Sequence, residues 1–172
     1  MKISYGKNVY GKDEIKAVVN QLNKTTQMGI SVSKFEKLIA KKFSKKYALM
    51  VNSGSSALFL IFNYLKKRFP KNSNIITPVL TFSTTVSSMV FNGFKPNFVD
   101  VDLDTLSINP DEIEKSVNKN TVAICAPNLI GNIPDWKKIK KIAKKYNLLI
   151  IEDSADTLGA NLDKKKIGIY SD

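Results

Sequence analysis

The sequence predicts an α/β domain whose mostly parallel sheet is covered by helices. Three observations predict it. Strand-like and helix-like segments alternate along the chain, the pattern of crossover units between parallel strands. Parallel strands buried on both faces should be continuously apolar, and Leu148-Leu149-Ile150-Ile151 is. With 172 residues, 43% of them hydrophobic and 24% charged, the chain can bury such a sheet.

Taken in order, Asp13 to Leu22 carries Ile15, Val18, Val19 and Leu22 at helical spacing. Ser33 is a suitable N-cap for a second helix, with Phe35, Leu38, Ile39 and Phe43 on its inner face. Tyr47 to Val51 reads as a first short strand, broken by Asn52-Ser53-Gly54-Ser55-Ser56, and Ala57 to Lys67 as a helix. Asn74 to Thr77 is a strand, Phe82 to Phe91 a helix and Pro96 to Val101 a strand. Asn109-Pro110-Asp111-Glu112 opens a helix with proline in its first turn. Val122 to Cys125 is a strand, Pro134-Asp135-Trp136 begins a helix reaching about Tyr146, and Leu148 to Ile151 is a strand ending in Glu152-Asp153. Lys164 to Lys166 reads as a hairpin tip. Residues 1–45 are thus an N-terminal arm with helices, and residues 46–172 part of a larger sheet domain, since Gly168 to Asp172 resembles a turn into a further element.

The formal net charge of +12 raises the question of nucleic acid, and the residue types answer against it. Arg68 is the only arginine, and arginine is the residue that forks phosphates and bases. The lysines lie on helix faces, as in Lys137, Lys138, Lys140, Lys141, Lys144 and Lys145, where they form a solvated surface. No apolar run approaches the roughly 20 residues of a membrane span, and MKISYGKNVYGKDE has no apolar signal core. Cytoplasmic location is therefore expected. Cys125 is expected to be a buried strand thiol outside any disulfide. With no histidine, Ser-His-Asp and Cys-His catalysis and His-based zinc sites are excluded from this stretch. Gly6 to Asp13 nearly fits a P-loop but has Asp where Ser or Thr should meet Mg²⁺, and no G-x-G-x-x-G follows a strand.

Three elements fall at strand ends, where ligands of open α/β sheets gather. Asn52 to Ala57 joins small residues to a helix start, either a phosphate cradle or a plain N-cap. Thr77 to Thr85 places Phe82 among small hydroxylic residues, as a core aromatic or as a ring laid on a planar ligand. Glu152 to Asp156 brings carboxylates to the end of an apolar strand, where they are costly unless paired. Asp153 could meet a cationic pyridinium nitrogen or cap a helix.

Together these elements resemble the DegT/DnrJ/StrS family of sugar aminotransferases, collinearly over nearly the whole chain. The resemblance runs through Gly29 with Phe35-Glu36, Asn52 to Leu58, Thr77 to Thr85, Pro96 to Asp102 and Asp111 to Ile113. It continues through Gly131-Asn132 with Pro134-Asp135, Ile151 to Asp156, and Leu158-Gly159-Ala160. It implies the large domain of the pyridoxal-dependent, aspartate aminotransferase-type fold, with residues 46–172 part of the cofactor-binding domain.

The resemblance also implies roles. Ser55 and Ser56 would hold the phosphate of pyridoxal 5'-phosphate (or pyridoxamine 5'-phosphate), Phe82 would stack on its ring, and Asp153 would pair with its ring nitrogen. Asp156 falls where the family often has Gln or His near the phenolic oxygen. The Schiff-base lysine is not in this chain; the family has it shortly after the position of Asp172, so this stretch alone is expected to be an inactive N-terminal portion. The partners implied are a nucleotide-linked keto sugar, an amino donor such as glutamate, and a second copy in a homodimer. Related 3-dehydratases carry His at the lysine position. The doubled serine at Ser55-Ser56, Asp156, and Thr81 to Thr85 are similar to that branch.

Overall fold

The computed structural model describes residues 7–172. Gly6 of the P-loop-like stretch, and the start of the N-terminal arm, lie outside the described residues. The chain forms two compact units, Met1–Phe35 and Glu36–Asp172.

In the first unit, α1 (Lys12–Lys24) begins at Gly11, whose amide donates to Glu14 Oε2 at 2.7 Å, as in a capping box. The expected spacing is present, but α1 buries none of its residues: Ile15, Val18, Val19 and Leu22 are all exposed. The second helix, α2 (Ile30–Lys42), starts earlier than Ser33, because the Ser33 amide already donates to Gly29 O at 3.0 Å. Its expected inner face is only partly realised. Ala40 is buried and Ile39 and Phe43 are half-buried, while Phe35 and Leu38 are exposed.

The second unit carries the sheet. Tyr47 to Val51, expected as a strand, is irregular. An apolar run becomes a strand only where a neighbour takes up its backbone groups. Neither edge of the sheet takes this one, and the Met50 amide donates instead to Glu36 Oε1 at 2.9 Å. Next come α3 (Gly54–Lys66), β1 (Asn74–Pro78), α4 (Ser83–Phe91), β2 (Lys95–Val99), α5 (Pro110–Ser116), β3 (Thr121–Pro127), α6 (Trp136–Tyr146) and β4 (Leu149–Asp153). The hairpin strands β5 (Asn161–Leu162) and β6 (Lys165–Lys166) follow. The tip of that hairpin is Asp163-Lys164, both at positive φ, rather than Lys164 to Lys166, because a two-residue turn of this hand needs left-handed backbone at both positions.

All pairs within the four-stranded sheet are parallel, in the order β2-β1-β3-β4. Side-chain alternation divides the core. Ile76, Ile124 and Ile150 pack with Ile113 of α5 and with Trp136, Ile139 and Ile142 of α6. Ile75, Ala123, Cys125 and Ile151 pack with Leu58, Phe62 and Leu65 of α3 and Met89 of α4 on the other face. The chain moves outward from β1 to β2, then crosses to the far side of β1 to form β3. The strand order therefore reverses between β1 and β3, the kind of switch point at which α/β sheets open a crevice. Cys125 is a fully buried strand thiol, as expected. On the outer face of α6, Lys137, Lys138, Lys140 and Lys145 are paired with Asp163, Asp111, Asp172 and Glu114.

Candidate functional site

The carboxyl ends of β1, β3 and β4 open beside the N-termini of α3 and α4. Ser53 is the N-cap of α3, its side chain accepting from the Ser56 amide at 3.1 Å, so the helix starts at Gly54 and takes Ser55 and Ser56 into its first turn. The Gly54 and Ser55 amides therefore have no acceptor within the helix. No atom comes within 4 Å of a Cβ built on Gly54, so that backbone is open to a ligand. Positive helix-end charge and free amides suit an anion here.

Ser55 Oγ donates to Thr84 Oγ1 of α4 at 3.0 Å. Ser55, Ser56 and Thr84 line one hollow of about 580 Å³ with Asn52, Phe59 and Ser88. Phe82 is the residue before α4 and is 65% exposed, so it is no core aromatic. Thr85, one residue on from Thr84 and fully buried, donates its hydroxyl to Asp153 Oδ2 at 3.3 Å. Asp153 Oδ1 accepts from the Ala155 amide at 3.2 Å. Since Asp153 is two residues beyond Ile151, it faces the α3/α4 side of the sheet, and its charge helps burial push the Cys125 thiol far up from its usual range. On the same face Thr77 Oγ1, at the end of β1, is fully buried without a hydrogen-bond partner, a group that a ligand or water would satisfy.

Ser55, Thr84, Thr85 and Asp153 thus form one polar track from a helix start to a strand end. Ser56 lies beside it, and Phe82 sits at the start of α4. Phe82 and Asp153 do not line the Ser55–Ser56 hollow. Asp156 is exposed and directed elsewhere: its Oδ2 accepts from the Ile130 amide at 3.0 Å. Ile130 has φ 55°, a left-handed conformation that costs an L residue roughly 1–2 kcal/mol, and the Asp156 bond holds it there.

Sequence reasoning passed over Thr85 and Asn128. Thr85 is one of several small hydroxylic residues around Phe82 and carries no signal of its own in the sequence. Asn128, 1% exposed after β3, has its Nδ2, with two hydrogens to donate, within 3.2 Å of Glu152 Oε1, Ser154 Oγ and Thr157 Oγ1, and its Oδ1 accepts from Trp136 Nε1. A lone polar residue ending an apolar strand could have marked it. Among the described residues no group of His, Cys, Asp and Glu could hold a metal ion, and no helix is long and apolar enough to cross a membrane.

Comparison with known proteins places this geometry. The chain is 37% identical over 147 residues to the GDP-4-keto-6-deoxy-D-mannose 3-dehydratase of Yersinia pseudotuberculosis, a match covering 83% of this chain and 37% of that protein. It superimposes on the Escherichia coli GDP-4-keto-6-deoxy-D-mannose 3-dehydratase with bound hydrated PLP at a TM-score of 0.89 and 33% identity, over 96% of this chain and 44% of the other. Against PseC of Helicobacter pylori, an aminotransferase of pseudoaminic acid biosynthesis, the TM-score is 0.92 at 27% identity, over 99% of this chain and 46% of that one. The fold is that of the pyridoxal-dependent aminotransferases, and the chain spans less than half the length of the relatives it matches. The model of the DegT/DnrJ/EryC1/StrS aminotransferase family matches residues 9–172, and the chain belongs to that family.

Proposed function

We propose that the protein carrying this chain uses pyridoxal 5'-phosphate to transfer an amino group to a nucleotide-linked keto sugar, with glutamate or a similar amino donor. The observation that carries this reading is the polar track from Ser55 through Thr84 and Thr85 to Asp153, beside the free amides of α3. The track offers hydroxyls and free amides to an anion at one end and a carboxylate to a protonated ring nitrogen at the other.

Bound there, the cofactor supplies a pyridinium ring that withdraws electrons and a carbon that carries the amino group. Ser55 and Ser56, with the Gly54 and Ser55 amides, bind the phosphate. Asp153 accepts the ring N–H and keeps that proton in place, and Thr85 holds the carboxylate in position. Phe82 would lie against the ring and exclude water from one side. Asp156 is assigned near the phenolic oxygen on the resemblance alone. The homodimer, the cytoplasmic location and a role in polysaccharide or deoxysugar biosynthesis belong to the same proposal.

A second reading, 3-dehydration of the keto sugar with pyridoxamine 5'-phosphate, is favoured by the 37% identity to the Yersinia pseudotuberculosis dehydratase and by the Ser55-Ser56 pair and Asp156. The complete protein, given cofactor, glutamate and GDP-4-keto-6-deoxymannose or its dTDP-linked analogue, decides by mass spectrometry. An aminated sugar nucleotide supports the first reading. Loss of the 3-hydroxyl without amination supports the second, and an unchanged sugar with every substrate refutes both.

A further inference from the structure

Glu152 and Asp153 are adjacent carboxylates on opposite faces of β4, and the functional reading uses only Asp153. Glu152 is half-buried, and a carboxylate there persists only if its oxygens are satisfied. Oε1 accepts from Asn128 Nδ2 at 3.0 Å and Ser154 Oγ at 2.9 Å. Oε2 accepts from the Gly168 amide at 2.9 Å and Ser171 Oγ at 3.2 Å. One oxygen is thus bound to the strand end and the other to a turn more than a dozen residues later.

The same turn is gripped from other directions. Lys45 Nζ donates to Ser171 O at 2.6 Å. The Asp172 amide donates to Ile150 O at 3.0 Å, and the Ile150 amide donates to Asp172 Oδ2 at 2.8 Å, so the segment runs onto the open edge of β4. Gly168 has φ +87°, and a Cβ there would meet Phe43 O at 2.6 Å, so the turn accepts only glycine. Burial pulls the Lys45 ammonium below the usual lysine range, and Glu152 and Asp172 offset part of that.

We propose that Glu152 is a positioning residue that sets where Gly168–Asp172 lies along β4, and so fixes the chain following Asp172 relative to Asp153. This rests on the functional reading above together with the family resemblance, which implies a Schiff-base lysine shortly after the position of Asp172. Glu152 touches neither cofactor nor substrate and acts through the turn it holds.

The test is Glu152→Gln in the complete protein. In either orientation the new amide NH₂ meets one donor that cannot accept, the Gly168 amide or Asn128 Nδ2, beside a serine hydroxyl that can turn to accept it, and the carboxylate charge is lost. Hydrogen exchange at the Gly168 and Asp172 amides should quicken at least tenfold, with the Ser56 amide unchanged. In steady state kcat should fall at least tenfold, while KM for the sugar nucleotide and the affinity for pyridoxal phosphate stay within about twofold. Ser171→Ala, which removes one donor and keeps the charge, should quicken the same amides by a smaller factor; it decides the matter if the glutamine variant does not fold. Unchanged exchange in the variant that folds, or faster exchange with unchanged kcat, overturns the proposal. A wild-type protein without pyridoxal-dependent activity refutes the functional reading instead, and the exchange measurement then decides the tether by itself.

Discussion

Thr85 Oγ1 donates to Asp153 Oδ2 at 3.3 Å, joining the first turn of α4 to the end of β4 across 68 residues of sequence. Thr85 is fully buried and Asp153 half-buried, so the donor end of this contact is shielded from water. Asp153 is thereby oriented by the helix whose neighbouring residue, Thr84, contacts Ser55.

Thr85→Val keeps the shape and deletes the donor. Since a net hydrogen bond is worth about 0.5–1.5 kcal/mol, the fold should survive with a small loss of stability. Cofactor affinity and kcat should each fall several-fold, and Thr85→Ser should restore most of both. Cofactor titration and steady-state kinetics read this. Wild-type kinetics in the valine variant would remove Thr85 from the site.

The serines at the start of α3 should separate by role. Ser53 caps the helix, so Ser53→Ala should cost about 1 kcal/mol of stability in chemical denaturation. The Ser55→Ala/Ser56→Ala double variant should change stability less and weaken pyridoxal phosphate binding at least tenfold, with little effect on binding of pyridoxal, which lacks the phosphate. Equal losses for both ligands would place the phosphate elsewhere.

Cys125 should be inert in the native protein. Burial, aided by the Asp153 charge, raises its pKa, so the folded state keeps the thiol neutral where an unfolded chain ionises it. The stabilising contribution is fully present below the ordinary thiol value of 9.0 and is lost as pH climbs beyond it. Thiol reagents at pH 8 should label Cys125 only after denaturant is added, and unfolding midpoints should drop above pH 9. Rapid native labelling would contradict the burial.

Much of this was legible in the sequence because parallel strands buried on both faces announce themselves, as at Leu148 to Ile151. Helix caps are local too, as at Asn109-Pro110, where the Asn109 side chain accepts from the Asp111 amide. What was hidden depends on partners distant in the chain. Tyr47 to Val51 has a strand's composition but no sheet edge to join. Phe35 and Leu38 fit a helical stripe yet remain exposed, because periodicity gives a face and not what covers it. Thr85, Asn128 and Glu152 emerge only once β3, β4 and the 168–171 turn lie side by side, since each acts through a hydrogen bond spanning 16 residues or more.

The most direct test of the account is the half-reaction of the Asp153→Asn protein with glutamate, followed through the cofactor's visible absorbance. Asparagine fills the same space and cannot hold the ring nitrogen protonated. The account predicts a folded variant that binds pyridoxal phosphate and converts it at least a thousandfold more slowly than wild type. Conversion at a near-normal rate would contradict it.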